Sequence, residues 1–356
     1  MSFFVFDFLD VPNLRFPEFT GEWKETIFEK ICNIATGNKN TQDKKEDGEY
    51  PFYVRSEMVE RINSYSFNGE AILTAGDGVG VGKVFHYVNG KVGVHQRVYI
   101  LSNFECSCKF AYYYFSSKFY NRVKRMSAKN SVDSVRHDMI AQMPILLPAR
   151  HEQNKIAQFL CLLEQRIETQ IKIIEDLKKL KSSLLDLLFQ NNSKWSTYCI
   201  SEILTIGNGR DYKHLKEGNI PVYGTGGYML SVNDYLYEGE SVCIGRKGTI
   251  DMPMFLTGKF WTVDTLFYTH NFRNILPKFC YYLFTMINWQ RYNEASGVPS
   301  LSKATIEKIK VSVPSINEQV YICSILDSVN NKIDVERSIL NEFKKQKQHL
   351  LQQMFV

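Results

Sequence analysis

Residues 146–189 read LLPARHEQNKIAQFLCLLEQRIETQIKIIEDLKKLKSSLLDLLF, and residues 312–355 read SVPSINEQVYICSILDSVNNKIDVERSILNEFKKQKQHLLQQMF. The two stretches align without a gap at a constant offset of 166. Pro148 meets Pro314, Glu152-Gln153 meets Glu318-Gln319, Ile156 meets Ile322, and Phe189 meets Phe355. In the first copy the apolar positions Ile156, Leu160, Leu163, Ile167, Ile171, Ile174, Leu177, Leu184 and Leu188 recur mostly in steps of three and four, the stripe of a long helix or coiled coil. The second copy repeats it with Ile322, Leu326, Val329, Ile333, Leu340, Phe343, Leu350 and Met354. The prolines fit just ahead of each helix, where they end a strand without harming the helix. A helix of about 39 residues is roughly 58 Å long, and it cannot bury such a stripe alone. Helix one leads from a first globular segment to a second. Helix two starts at that second segment, so to pack on helix one it must run back. The expected architecture is α+β: two similar mixed α/β domains separated by two long helices packed as an antiparallel coiled coil, with pseudo-twofold symmetry. The expected boundaries are 1–145 for an N-terminal extension and first domain, 146–190 for helix one, 191–311 for the second domain and 312–356 for helix two.

A weaker repeat lies in residues 20–144 and 192–310. Gly21-Glu22-Trp23 opens the first and Trp195 the second. Tyr50-Pro51-Phe52-Tyr53 answers Ile220-Pro221-Val222-Tyr223, and Asn68-Gly69-Glu70-Ala71-Ile72-Leu73 answers Glu238-Gly239-Glu240-Ser241-Val242-Cys243. Gly78 matches Gly248, and the aromatic run Phe110–Phe115 matches Phe279–Phe284. Short alternating runs with Gly and Asn turns, followed by helices, predict a small mixed domain in each half. The landmarks repeat while the residues between them diverge, which suits two units binding two versions of one ligand type.

A chain of 356 residues, 44% apolar and 23% charged, is ordinary for a folded protein of two or three domains. Its net charge of +5 permits a nucleic-acid partner without demanding one. The start MSFFVFDFLDVPNLRF is short, lacks a basic lead and carries Asp7, Asp10 and Pro12, so no secretory signal is expected. Phe3, Phe4, Phe6, Phe8 and Leu9 either cap the end of helix two beside the first domain or form a loose tail. No run approaches the ~18 apolar residues of a membrane span. The eight scattered cysteines suggest a reduced, cytoplasmic chain.

Three further features bring the reading to a family. They are the opening Leu14-Arg15-Phe16-Pro17-Glu18-Phe19 with Gly21-Glu22-Trp23, the paired Pro–x–x–x–Glu-Gln starts of the long helices, and Gly297-Val298-Pro299-Ser300-Leu301-Ser302-Lys303 before helix two. Together with the repeat, over essentially the whole chain, they resemble the specificity (S, HsdS-type) subunit of type I restriction-modification systems. The first half departs from the pattern at Ser127-Ala128-Lys129-Asn130, which lacks the Gly–x–Pro segment. The resemblance implies that each globular unit is a target recognition domain reading half of a split double-stranded DNA site. It implies that two long conserved helices hold the units apart and dock two methyltransferase (modification) subunits, which bring S-adenosylmethionine and act on adenine. Restriction (motor–nuclease) subunits then join. The chain itself is expected to hold no cofactor or metal, to meet no membrane and to work in the cytoplasm.

Base reading needs Arg, Lys, Asn or Gln at groove edges, with other cations on phosphates. The first domain offers Arg55, Arg61, Lys83, Arg97, Lys118, Arg122, Lys124, Arg125, Lys129 and Arg136. The second offers Arg210, Lys213, Arg246, Lys247, Lys259, Arg291 and Lys303. The DNA-contact candidates are Arg55, Lys83, Arg97, Arg122, Lys124, Arg125, Lys129, Arg210, Lys213, Arg246, Lys247 and Lys303. Each alone is more readily a solvated side chain or a phosphate contact than a base reader. The set favours DNA, with Arg246-Lys247-Gly248 as a groove probe on a loop.

Other motifs carry less. Asp77–Lys83 is glycine-rich but places Asp77 and Val84 where a P-loop needs Gly and Ser or Thr; a strand-connecting loop fits better. Cys106-Ser107-Cys108 has no second pair to complete a zinc site. The seven histidines show no metal-like spacing, and Glu22-Trp23-Lys24 is isolated. No residue set for catalysis emerges, so the expected chain is a targeting subunit without catalytic residues. The competing reading is a coiled-coil scaffold whose end domains bind protein. A third is an enzyme acting alone on DNA, which would bind S-adenosylmethionine itself.

Overall fold

The computed structural model describes residues 12–78, 80–127, 134–190 and 194–355. The chain divides into two compact units, Met1–Ile171 with Ile339–Val356, and Lys172–Ser338. Both units draw on two helices of 39 residues each, α4 (Arg150–Leu188) and α8 (Ile316–Met354), as the repeated stripe predicts. Burial along the stripe is uneven. Ile156, Leu160 and Ile174 are buried, as are Ile322, Leu326 and Ile333, whereas Ile171 stays 37% exposed.

In the first unit, β1 (Lys24–Ile27), α1 (Phe28–Ile31) and β2 (Asn33–Thr36) lead into β3 (Tyr50–Tyr53), β4 (Val59–Ile62), β5 (Phe67–Ala75), β6 (Phe85–Val94) and β7 (Val98–Ser102). Then come α2 (Cys108–Met126), α3 (His137–Ala141) and β8 (Pro144–Leu147). Five of the strands join β2 in a six-stranded sheet of order β2-β7-β5-β6-β3-β4, with β3 and β6 parallel. The first and last strands of the segment, β1 and β8, pair with each other as a separate antiparallel clasp. The apolar run on α2 forms the core: Phe110, Phe115 and Phe119 are fully buried with Phe28, Leu101, Ile145 and Ile156. The start of α4 meets the end of α8 here. Lys347 Nζ lies 2.5 Å from Glu164 Oε1, and Arg166 stacks over Phe343, so the two segments run antiparallel.

The second unit repeats this plan. Its elements are β9 (Ser196–Cys199), α5 (Ile200–Ile203), β10 (Thr205–Asn208), β11 (Glu217–Gly224), β12 (Gly227–Val232), β13 (Tyr237–Glu238), β14 (Ser241–Gly245), β15 (Met254–Leu256), β16 (Lys259–Thr262), β17 (Leu266–His270), α6 (Pro277–Met286), α7 (Lys303–Glu307) and β18 (Lys310–Val313). Again the outermost strands, β9 and β18, close an antiparallel clasp. The aromatic helix α6 again supplies the core through Phe279, Tyr282 and Phe284, packed with Ile322 and Leu326 from the start of α8 and with Leu184, Leu185 and Leu188 from the end of α4. The sheets differ at one point. In the first unit Gly69 (φ 146°) faces Gly90 (φ 131°) and the β5–β6 ladder runs through them. In the second, the N–H of Gly239 (φ 138°) donates to Gly258 O, and each long strand breaks there, giving two four-stranded sheets, β10-β17-β14-β15 and β12-β11-β16-β13. Positive φ of this kind is a glycine conformation, which explains the residue at the bend in both halves.

The paired Glu-Gln starts of the long helices have a mechanical role. Gln153 accepts from the N–H of Ser107, the residue capping α2, at 2.8 Å and donates to Pro148 O at 2.7 Å. Gln319 accepts from the N–H of Leu276, which caps α6, at 2.7 Å, and donates to Asn274 O and Pro314 O at 2.9 Å. Each glutamine therefore ties the start of a long helix to the start of the aromatic helix, using backbone groups that a helix end leaves unpaired. The glutamates have diverged: Glu152 takes two hydrogen bonds from Arg15, and Glu318 takes one from the Trp195 indole. The indole N–H of Trp23, the counterpart of Trp195, is buried with no hydrogen-bond partner among the described residues. Residues 14–19 dock on the long helices of the first unit through Leu14 N–H to Gln353 O, Phe16 against Phe159, and Lys155 with Glu18. Phe3, Phe4, Phe6, Phe8 and Leu9 lie outside the described residues.

Candidate nucleic-acid interface

One backbone frame occurs in both units. In the first, the N–H groups of Gly76, Gly37, Asn38, His95 and Val135 donate to the carbonyls of Arg97, Val98, Val94, Tyr53 and Gly76 at 2.7–3.1 Å. In the second, those of Arg246, Gly209, Arg210, Val263 and Leu301 donate to Thr265, Leu266, Thr262, Tyr223 and Arg246 at 2.8–3.1 Å. Backbone bridges then join Asp77 to Ser134 and Lys247 to Ser300. The correspondence is bond for bond, so Gly76 matches Arg246, Asp77 matches Lys247, Arg97 matches Thr265 and Asn38 matches Arg210. Counting on from the matched Tyr53 and Tyr223 places Arg55 opposite Thr225. The segment before α7, Pro299–Leu301, fills one wall; Ser134-Val135 takes that place in the first unit despite lacking the Gly–x–Pro pattern.

The side chains on the two frames have different chemistry. In the first unit Asp77 sits between two arginines: its Oδ1 lies 3.0 Å from Arg55 Nη1, and its Oδ2 pairs with Arg97 Nη1. Asp77 is 19% exposed, Arg55 42% and Arg97 60%. Burial raises the Asp77 carboxyl, but the Arg97 and Arg55 guanidiniums outweigh it and hold the group below the usual carboxylate range. The pairing therefore contributes above the unfolded carboxyl value of about 3.9 and is lost as pH falls through the lower folded value. A carbon-13 titration should find the Asp77 midpoint below about 3.9; a midpoint at or above it would contradict the clamp.

In the second unit Arg246, Lys247 and Lys303 line one groove of about 410 Å³ with Asn208, Phe267 and Glu294. Arg246 lies over the Phe267 ring at 5.9 Å, Lys303 pairs with Glu307 at 3.7 Å, and Lys247 is exposed. Arg210 is exposed on the same frame beside Thr262. Lys213 lies apart, in a groove of about 690 Å³ between the start of β11 and β12.

The remaining first-unit candidates scatter. Lys83 is exposed over the Tyr120 ring at 5.1 Å. Arg122 donates to the carbonyls of Met139 and Gln142, both at 2.8 Å, fastening α2 to α3. Lys124 and Arg125 are exposed at the end of α2, and Lys129 lies outside the described residues. Asp77, Asn208 and Glu294 were not anticipated as members of these sites. The repeat alone could have flagged Asp77, because at the offset of 170 that carries Gly78 onto Gly248 it falls on Lys247. Cys106 and Cys108 are buried in the first core, where burial pushes their thiols up, Cys106 to about 11. No helix among the described residues is long and apolar enough to cross a membrane.

The model of the family described as the type I restriction modification DNA specificity domain matches residues 20–179 and again residues 192–345. The chain belongs to this family. Each match takes in one globular segment and most of the long helix that follows. Among curated members of the specificity family, the chain is 26% identical to the type I restriction enzyme EcoDI specificity subunit of Escherichia coli over 148 residues, 42% of this chain and 32% of that one. It is 22% identical to the MjaVIII specificity subunit of Methanocaldococcus jannaschii over 97% of this chain and 94% of the other. The matched stretches span about a third of the EcoDI subunit and of the S.HindORF215P subunit of Haemophilus influenzae. Among solved structures, the type I restriction-modification S subunit from M. genitalium shares the fold with a TM-score of 0.68 at 19% identity, over 97% of this chain and 99% of that one. The duplicated mixed α/β domains and the two long helices are thus the specificity-family architecture.

Proposed function

We propose that the chain is the DNA specificity subunit of a type I restriction-modification complex and is not itself catalytic. The observation that carries this reading is the common backbone frame, offered twice with different charged side chains, in a chain whose two halves both match the DNA specificity domain. Domain 20–144 reads one half-site and domain 192–310 the other. The helices over 152–190 and 318–355 fix the gap between the half-sites, and with the domains they dock two methyltransferase subunits carrying S-adenosylmethionine. Restriction subunits join that assembly in the cytoplasm. Arg55, Arg97, Arg210, Arg246, Lys247 and Lys303 face the DNA from the frames, and Lys83, Lys124, Arg125, Lys129 and Lys213 contact phosphates elsewhere along it.

The test is methylation mapping by long-read sequencing in cells holding the neighbouring methyltransferase subunit, with and without this chain. The expected result is a split motif with a constant gap that depends on the chain. An unchanged methylome, with the two proteins associated, would instead favour the protein-binding scaffold. Adding one helical turn to both α4 and α8 is expected to change the gap and leave both half-sites as they were. Altered half-sites would sink the spacer assignment.

A further inference from the structure

We propose that Asp77 is a positioning residue that aims Arg55 and Arg97, as a base-reading pair, at a guanine-containing half-site. The frame positions 38, 55, 76, 77 and 97, and their counterparts 210, 225, 246, 247 and 265, are where the two half-sites come to differ. This rests on the function proposed above and specifies how one half of it is carried out.

If the Arg55–Asp77–Arg97 cluster were needed to hold the frame, the second unit would need it too. The second unit makes the same backbone hydrogen bonds with Thr225, Lys247 and Thr265 at those positions. All three members have changed together, and the acid has become a base. The cluster is therefore not a requirement of the fold.

Isolated ion pairs at exposed arginines add little to stability, so stability does not account for two of them converging on one carboxylate. Geometry does. Each guanidinium donates to Asp77 through its Nη1, and among the described residues neither has another partner. Each keeps further N–H groups free on a guanidinium anchored at Nη1 by the carboxylate. A guanidinium anchored in that way presents donors that match the O6 and N7 acceptors of guanine in the major groove, and the anchor removes part of the ordering that a free arginine would undergo on binding. One carboxylate also relieves the repulsion between the two cations while leaving the cluster a net positive charge for DNA.

The second frame carries a different reader. Among the described residues no carboxylate pairs with Arg210, Arg246 or Lys247, so that half-site is read by separate donors. The neighbouring Glu294 is occupied by the Ser302 and Thr305 hydroxyls.

The test is methylation mapping of the whole chain with its methyltransferase partner, for wild type and for Asp77→Asn, Arg97→Gln and Arg246→Gln. Wild type should give a first half-site that contains guanine. Arg97→Gln should lower discrimination for that guanine roughly 10-fold to 100-fold, the range of a lost bidentate contact. Asp77→Asn keeps the shape but not the charge, and should relax the same position without altering the second half-site or the gap. Arg246→Gln should relax only the second half-site. Undiminished stringency in Asp77→Asn and Arg97→Gln would overturn the inference while leaving the specificity function standing. So would a uniform loss on all sequences with a smaller salt slope, which would mark phosphate contacts. A wild-type chain with no split motif would overturn the function beneath it. If Asp77→Asn does not accumulate, Arg97→Gln, at a residue 60% exposed, decides the matter.

Discussion

Replacing Arg15 with alanine is expected to lower the unfolding free energy by about 3–5 kcal/mol, far more than its place near the start of the chain suggests. Glu152 is only 1% exposed, and its two oxygens are held at 2.6 and 2.7 Å by Arg15 Nε and Nη2. The same Nη2 donates to Gly21 O at 2.6 Å, tying residues 14–21 to the start of α4. Removing the guanidinium leaves a buried carboxylate with no charged partner, which is the expensive way to break such a pair. Taking away both charges is different: Arg15→Met with Glu152→Met should recover most of the loss. Urea unfolding of the two variants beside wild type checks this. A single-variant loss under about 1 kcal/mol, the size of an exposed ion pair, would show the pair to be dispensable.

Gln319→Ala is expected to cost about 3 kcal/mol, and Gln153→Ala about 2, because each group left unsatisfied in the interior costs on the order of 1 kcal/mol or more. Gln319 is fully buried and serves three backbone groups: Leu276 N–H, Asn274 O and Pro314 O. Gln153 serves two, Ser107 N–H and Pro148 O. The prediction is thus an ordering as well as a size. If the two variants unfold at the same urea concentration as wild type, the clamp between long and aromatic helices has no energetic role. If Gln153→Ala is the more damaging, counting satisfied groups is the wrong measure of it.

Much of the architecture could be read from the chain because it is written twice. The stripe in 146–189 set the type and length of α4, and its copy did the same for α8. The aromatic runs beginning at Phe110 and Phe279 marked the core helices for the same reason. The breaking of β5 and β6 into four shorter strands in the second unit could not be read, because Gly239 and Gly258 stand where Gly69 and Gly90 do and only their pairing differs. The candidate site was legible where its residues are neighbours in sequence: Arg246-Lys247-Gly248 reads as a loop between strands. Asp77 was not, because its meaning comes from Arg55 and Arg97, 22 and 20 positions away, reached by two different strand connections. Arg122 shows the converse. It belongs to the dense basic run Arg122–Arg125, yet its guanidinium turns inward to the α3 carbonyls. Charge density along a helix does not reveal which way a long side chain points.

The clasps carry a consequence for how such a chain tolerates change. Lys24 stands opposite Leu147 in one, and Ser196 opposite Val313 in the other. The starts of the two repeats are offset by 172 positions and their ends by 166, so the second segment is six residues shorter while its clasp keeps the same register. Because both ends of each segment are sewn together at its base, a gain or loss of residues inside it is absorbed before the chain reaches α4 or α8. Each segment is a loop in the topological sense, free to lengthen, shorten and redraw its contours, and the strands that bound it keep those edits from reaching the helices.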